Sequence, residues 1–154
     1  DAMLTTWASD QAQAVADLNT GLLANVNTVG NVLSAMRVKI DAENPAIRLM
    51  QYEGGSHAVH KDAGNYTDGD AASDLHKAWR EDATLQAAFQ TIWADHQQNN
   101  CDGPMGQFSL SNVYNENGHW GLFNSNAGAT DEYAQAILDL VAVRVPKYFA
   151  RYGA

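Results

Sequence analysis

One apolar stripe constrains this chain more than any other feature. Val15, Leu18, Leu22, Val26, Val29, Leu33, Met36 and Ile40 recur every three or four positions. That interval places them on one face of a helix. The spacing predicts one long helix from Asp10 to Glu43. Ser9 or Asp10 is the expected N-cap, because a short polar side chain there can accept from an otherwise orphaned backbone N–H. Asn44-Pro45 is the expected stop, since the residue before proline avoids the α region. Gly21 and Gly30 weaken the helix and mark places of close approach to another element.

The remaining chain alternates. Ile47-Arg48-Leu49-Met50-Gln51-Tyr52 is short and bounded by Pro45 and Gly54-Gly55, and reads as a strand of about 47–53. A polar segment follows, Ser56 to Ser73, which reads as a functional loop. A second helical pattern runs from Ser73 to Gln98, with Leu75, Trp79, Leu85, Phe89, Ile92 and Trp93 on its apolar face; Asp82 is placed to interrupt it or to cap a second segment. A second strand is expected at 107–114, then a loop rich in Gly and Asn from Asn115 to Thr130. The last helix starts near Thr130 or Asp131, and Pro146 is expected to kink or divide it.

Strands alternating with helices predict parallel pairing through right-handed crossovers. Two such strands cannot make a stable sheet alone, because a parallel sheet is buried on both faces and its edges need cover. The expected fold class is therefore α/β, the C-terminal portion of a (β/α)8 barrel. Residues 1–154 would supply about the last two βα units and the preceding helix, and the remaining N-terminal part of the barrel would be a partner in the same protein or another chain.

Composition excludes some partners. Lys and Arg number 9 against 18 Asp and Glu, giving a net charge of -9. Neither nucleic acid nor an anionic membrane surface is a fitting partner, since both need clustered basic residues. No apolar stretch is long enough to span a bilayer. Cys101 is the only cysteine, so no internal disulfide is possible. Asn65-Tyr66-Thr67 fits the N-glycosylation pattern.

Barrel sites lie where strands end. The first expected strand ends in Tyr52-Glu53-Gly54-Gly55-Ser56-His57. The second runs through Asn112 and Tyr114 into Asn117-Gly118-His119-Trp120-Gly121-Leu122. Together, Tyr-Glu-Gly-Gly-x-His, a helix, a strand and Gly-x-Trp-Gly-Leu resemble the C-terminal end of bacterial glycoside-hydrolase-like barrels of the clan-A superfamily. The resemblance implies that Glu53 matches the nucleophile of a retaining glycosidase and Trp120 a residue that stacks on sugar. It implies a polysaccharide substrate, a secreted or extracellular protein and no cofactor.

The retaining reaction needs a second carboxylic acid, about 5 Å from the nucleophile. That acid would come from outside this chain, so the chain alone is expected to be inactive. Tyr52, His57, Asn112, Tyr114 and Trp120 are the expected substrate-binding residues. Plainer roles stand beside these. Glu53 could cap a loop or pair with an Arg, Trp120 could pack in the core, and Asn112 and Tyr114 could only satisfy strand ends. His57 and His60 share a His-x-x-His spacing but lack a further ligand at a standard interval, so no metal is expected. Glu116 is a possible second acid or a solvated loop residue. A non-catalytic carbohydrate-binding or structural barrel is the alternative, and an unrelated α/β domain completed by a partner is the third.

Overall fold

A computed structural model gives the architecture and describes residues 2–51, 71–103, 109–111, 121–123 and 131–152, with side chains described for 2–51, 71–103 and 131–142. Helices α1 (Ala2–Ser9), α2 (Gln11–Glu43), α3 (Ala71–Arg80), α4 (Ala83–Asn100) and α5 (Glu132–Tyr152) make up most of the described residues. Strands β1 (Ser109–Ser111) and β2 (Gly121–Phe123) form one short parallel pair, with Ser109 opposite Gly121 and Ser111 opposite Phe123.

Local chemistry explains the helix limits. Asp10 is extended at φ -151° and caps α2, its Oδ1 accepting from the Gln13 N–H at 3.1 Å. Asn44, before Pro45, leaves the helix at φ -162°. Asp82 separates α3 from α4 and caps the latter, accepting from the Leu85 N–H at 3.0 Å. The second helical pattern is thus two helices, divided where the sequence places a cap. In α5 the helix runs on through Pro146 without division.

The helices pack as a bundle, α2 against α4, α4 against α5, and α1 across α2 and α3. The core comprises Leu22 and Val26 of α2, Trp79 of α3, Phe89 and Trp93 of α4, and Tyr133 of α5. Trp79 is its centre and is fully buried. Phe89 meets its ring edge-on at 5.2 Å, and Tyr133 lies tilted at 6.2 Å. Its indole N–H donates to Asn19 Oδ1 at 3.1 Å, so the one polar atom of the ring is satisfied. Truncating a core aromatic of this kind costs about 3–5 kcal/mol.

Only part of the α2 stripe is used. Leu22 and Val26 are buried and Val15 and Leu18 pack against the core, whereas Val29 and Met36 remain 41% and 45% exposed. The two glycines also differ. A Cβ on Gly30 would collide with the His96 imidazole of α4, while one on Gly21 would meet nothing within 4 Å.

This architecture overturns the (β/α)8-barrel expectation. A turn at 45–46 and a bend at 47 lead into an irregular segment, 48–51, rather than a strand. A barrel strand buries both faces, yet Ile47 and Met50 are 51% and 59% exposed and only Leu49 is buried. Within the expected strand 107–114, extended pairing is described for 109–111 alone, and its partner is 121–123 rather than the described residues 47–51. The link 112–120 is shorter than the dozen or so residues that a helical crossover requires. A C-terminal barrel fragment, and with it the clan-A likeness built on barrel strands, is therefore replaced by a helical bundle carrying one small strand pair.

Candidate functional site

Glu53, the expected nucleophile, lies outside the described residues. So do Tyr52, His57, Asn112, Tyr114 and Trp120, and so do His60, Glu116 and the Asn65 sequon. What the structure defines is how the chain is held on either side of these motifs. Two polar clasps do this.

The first clasp centres on Asp102, just beyond α4. Its Oδ2 accepts from the Leu49 N–H at 2.7 Å and from Arg37 Nη1 at 2.5 Å. Its own N–H donates to the Leu49 carbonyl at 2.8 Å. Arg37 also bonds Asp41 one helical turn on. Hydrogen bonding to Asp41 raises the Arg37 guanidinium above its ordinary range, burial opposes this, and the charge of Asp102 adds to the rise. Gly103 leaves room for Met50, whose Cε would lie 3.0 Å from a Cβ there. The Gln97 side-chain amide donates to the Gly103 carbonyl. Residues 49–50 therefore lie fixed against 102–103.

Next to this clasp Cys101 is buried, with 5% exposed. Burial raises its thiol above the ordinary range, Asp102 adds to the rise and Arg37 opposes it. The two leading effects disfavour the thiolate, the form that a nucleophilic cysteine requires.

The second clasp joins α3 to the start of α5. Arg80 Nε donates to Asp131 Oδ2 at 2.6 Å, with the two side chains 0% and 3% exposed. Asp131 Oδ1 accepts from the Ala134 N–H at 2.9 Å, so the same carboxylate caps α5. The Arg80 guanidinium carbon stands 4.0 Å over the Tyr133 ring, a cation–π contact. His76 stacks on Trp79 at 5.8 Å, and Gln86 Nε2 donates to the Trp79 carbonyl at 2.6 Å. Ser73, His76 and Arg80 are all buried along one face of α3.

Sequence reasoning missed this second group. Its signal was the interval 73, 76, 80, which repeats at helical spacing beside Leu75 and Trp79. Polar residues at such an interval ordinarily mark a solvated face, and only Asp131 at a helix start hinted at a partner.

Among the described residues no group of three or more His, Cys, Asp or Glu is placed to hold a metal ion. No helix among them is long and apolar enough to cross a membrane. Both clasps combine an ion pair with a backbone bond, Asp102 accepting from the Leu49 N–H and Asp131 from the Ala134 N–H.

The fold and its clasps define a helical-bundle protein. No family model matches the chain, and no match was found among curated proteins or solved structures. The likeness to glycoside-hydrolase barrels thus has support from neither fold nor comparison.

Proposed function

We propose that this chain is a carbohydrate-binding protein in which Trp120 stacks on a sugar ring and Glu53 accepts hydrogen bonds from sugar hydroxyls. Tyr52, His57, Asn112 and Tyr114 supply further polar and aromatic contacts. An aromatic plane with a few convergent polar groups is the chemistry a sugar needs, since its C–H face is apolar and its rim is hydroxylated. An extracellular location belongs to the same reading, because polysaccharides accumulate there.

One observation carries the reading. The stretches bearing the two motifs leave the bundle from one place, where Leu49 is bonded to Asp102. They rejoin it at helices that Arg80 and Asp131 tie together. The two stretches therefore start from bonded neighbours and lead to paired helices. Shared anchorage favours one joint surface.

Binding without turnover is preferred to hydrolysis. The retaining reaction needs two carboxyl groups about 5 Å apart, and the second was expected from barrel strands that the bundle does not supply. Calorimetric titration with a panel of neutral oligosaccharides tests the proposal. Binding should be weakened by about tenfold or more, or 1.4 kcal/mol, in Trp120→Ala, and measurably in Glu53→Gln. Wild-type protein that binds no member, or Trp120→Ala that binds as well as wild type, would overturn it. Release of reducing sugar that Glu53→Gln abolishes would assign Glu53 to catalysis instead.

A further inference from the structure

We propose that Arg37 and Asp102 are positioning residues that fix where the polypeptide leaves the bundle on its way to Tyr52 and Glu53. The identity of the positioned motif rests on the sugar-binding reading; the clasp itself does not.

Leu49 has no strand partner among the described residues, yet its two backbone groups are bonded. Both go to one residue, its N–H to Asp102 Oδ2 at 2.7 Å and its carbonyl to the Asp102 N–H at 2.8 Å. One residue, through its carboxylate oxygen and its own N–H, thereby takes the place of a neighbouring strand. Alone, that oxygen could swing about the Asp102 side chain. Arg37 Nη1 prevents this by bonding it at 2.5 Å from a different helix, α2. Arg37 is held in turn by Asp41, and its Nη2 reaches the Ile47 carbonyl at 3.4 Å. The guanidinium therefore touches the segment on the N-terminal side of Leu49 as well as the carboxylate that holds Leu49.

Stability alone would not require this arrangement. The segment offers one buried apolar side chain, Leu49, between the exposed Ile47 and Met50. So little apolar burial gives a weak hydrophobic hold. Charge-assisted hydrogen bonds supply direction instead, because they demand a particular geometry. At about 3.5 Å per residue, Glu53 cannot be more than roughly 14 Å from Leu49. Fixing Leu49 thus restricts where Glu53 can reach.

The test compares wild type, Asp102→Asn and Arg37→Lys by amide hydrogen exchange and by calorimetric titration with neutral oligosaccharides. Asp102→Asn keeps the volume and removes the charge. Arg37→Lys keeps the charge and removes the fork. The Leu49 amide should exchange about tenfold faster in Asp102→Asn, and by a smaller factor in Arg37→Lys. Amides of Phe89 and Trp93, in the middle of α4, should stay at wild-type rates. Sugar affinity should fall in the same order as Leu49 protection.

Unchanged Leu49 exchange in both variants would overturn the proposal. Equal acceleration at Leu49 and Trp93 would also overturn it, marking the pair as a general stabiliser. If Asp102→Asn does not fold, Arg37→Lys carries the same comparison. Selective loss at Leu49 in a protein that binds no sugar would sink the sugar-binding reading and leave the positioning role standing. Selective loss with unaltered sugar affinity would do the reverse.

Discussion

Arg80 and Asp131, 51 residues apart in the chain, meet inside the protein with Nε 2.6 Å from Oδ2. Neither is on the surface: Arg80 is 0% and Asp131 8% exposed. The pair links the end of α3 to the first turn of α5 and lies beside the Trp79–Tyr133 contact at the centre of the core. A buried pair of this kind gains little net stability over apolar residues of similar shape, because both charges lose their hydration. Breaking it is another matter.

Removing one partner should be severe. Asp131→Ala removes a carboxylate bonded to the buried Arg80 guanidinium, at a cost of about 3–5 kcal/mol, and also deletes the α5 cap. The double variant Arg80→Met/Asp131→Ala should lose less than the sum of the single losses, because the two residues are in direct contact and share one bond. Urea denaturation of all the variants measures this. A loss below about 1 kcal/mol for Asp131→Ala would contradict the burial of the pair.

The two glycines of α2 should respond with opposite signs. Gly21→Ala adds a methyl into open space and should stabilise by about 0.5–1 kcal/mol through helix propensity. Gly30→Ala drives a Cβ into the His96 ring, which bonds Asn27 Oδ1 at 3.0 Å. Overpacking of about 1–3 kcal/mol should exceed the propensity gain there. Thermal melts of both variants decide it, and a stabilised Gly30→Ala would refute the close approach of α2 to α4.

Asp82 separates two helices that one periodic pattern runs through. Asp82→Ala should cost about 1 kcal/mol and Asp82→Asn much less, since Asn retains an oxygen that can accept the Leu85 N–H. Denaturation midpoints of the pair provide the check, and equal losses would show that capping is not what Asp82 supplies.

Cys101 should be slow to alkylate. Burial and Asp102 raise its thiol above the ordinary range of about 8.5, so the folded protein keeps the proton at pH values where an unfolded chain has begun to lose it. Its contribution to stability is therefore complete below the unfolded value and declines as pH rises through the folded one. Iodoacetamide labelling against pH should show an onset displaced upward relative to the urea-unfolded chain. An onset displaced downward would refute the assignment.

The limits of α2 and the break before α4 were legible in the residues, whereas α1 and the continuity of α5 through Pro146 were not. Asp10, Asp82 and Asn44-Pro45 act within four positions of themselves, and the stripe through Leu22 and Val26 needs only local periodicity. The candidate site was less so. Glu53 and Trp120 are recognisable as motifs, but Arg80, His76 and Ser73 carry the same spacing as a solvated face, and nothing near them in the chain announces Asp131. Ile47 to Gln51, the described part of the expected strand, shows the converse error. Five residues of mixed character fit a strand as well as a loop, because so short a run contains too little periodicity to separate them.

Where α2 begins and ends, that α3 and α4 are two helices, and that Trp79 and Phe89 face inward were set by the amino-acid order itself. Backbone capping and side-chain spacing are properties of neighbours. Packing alone decided that Asp102 replaces a strand beside Leu49, that Gly30 but not Gly21 is a contact, and that Arg80 finds Asp131. Each of those joins groups far apart in the chain, where the energy comes from excluding water between surfaces that no local pattern brings together.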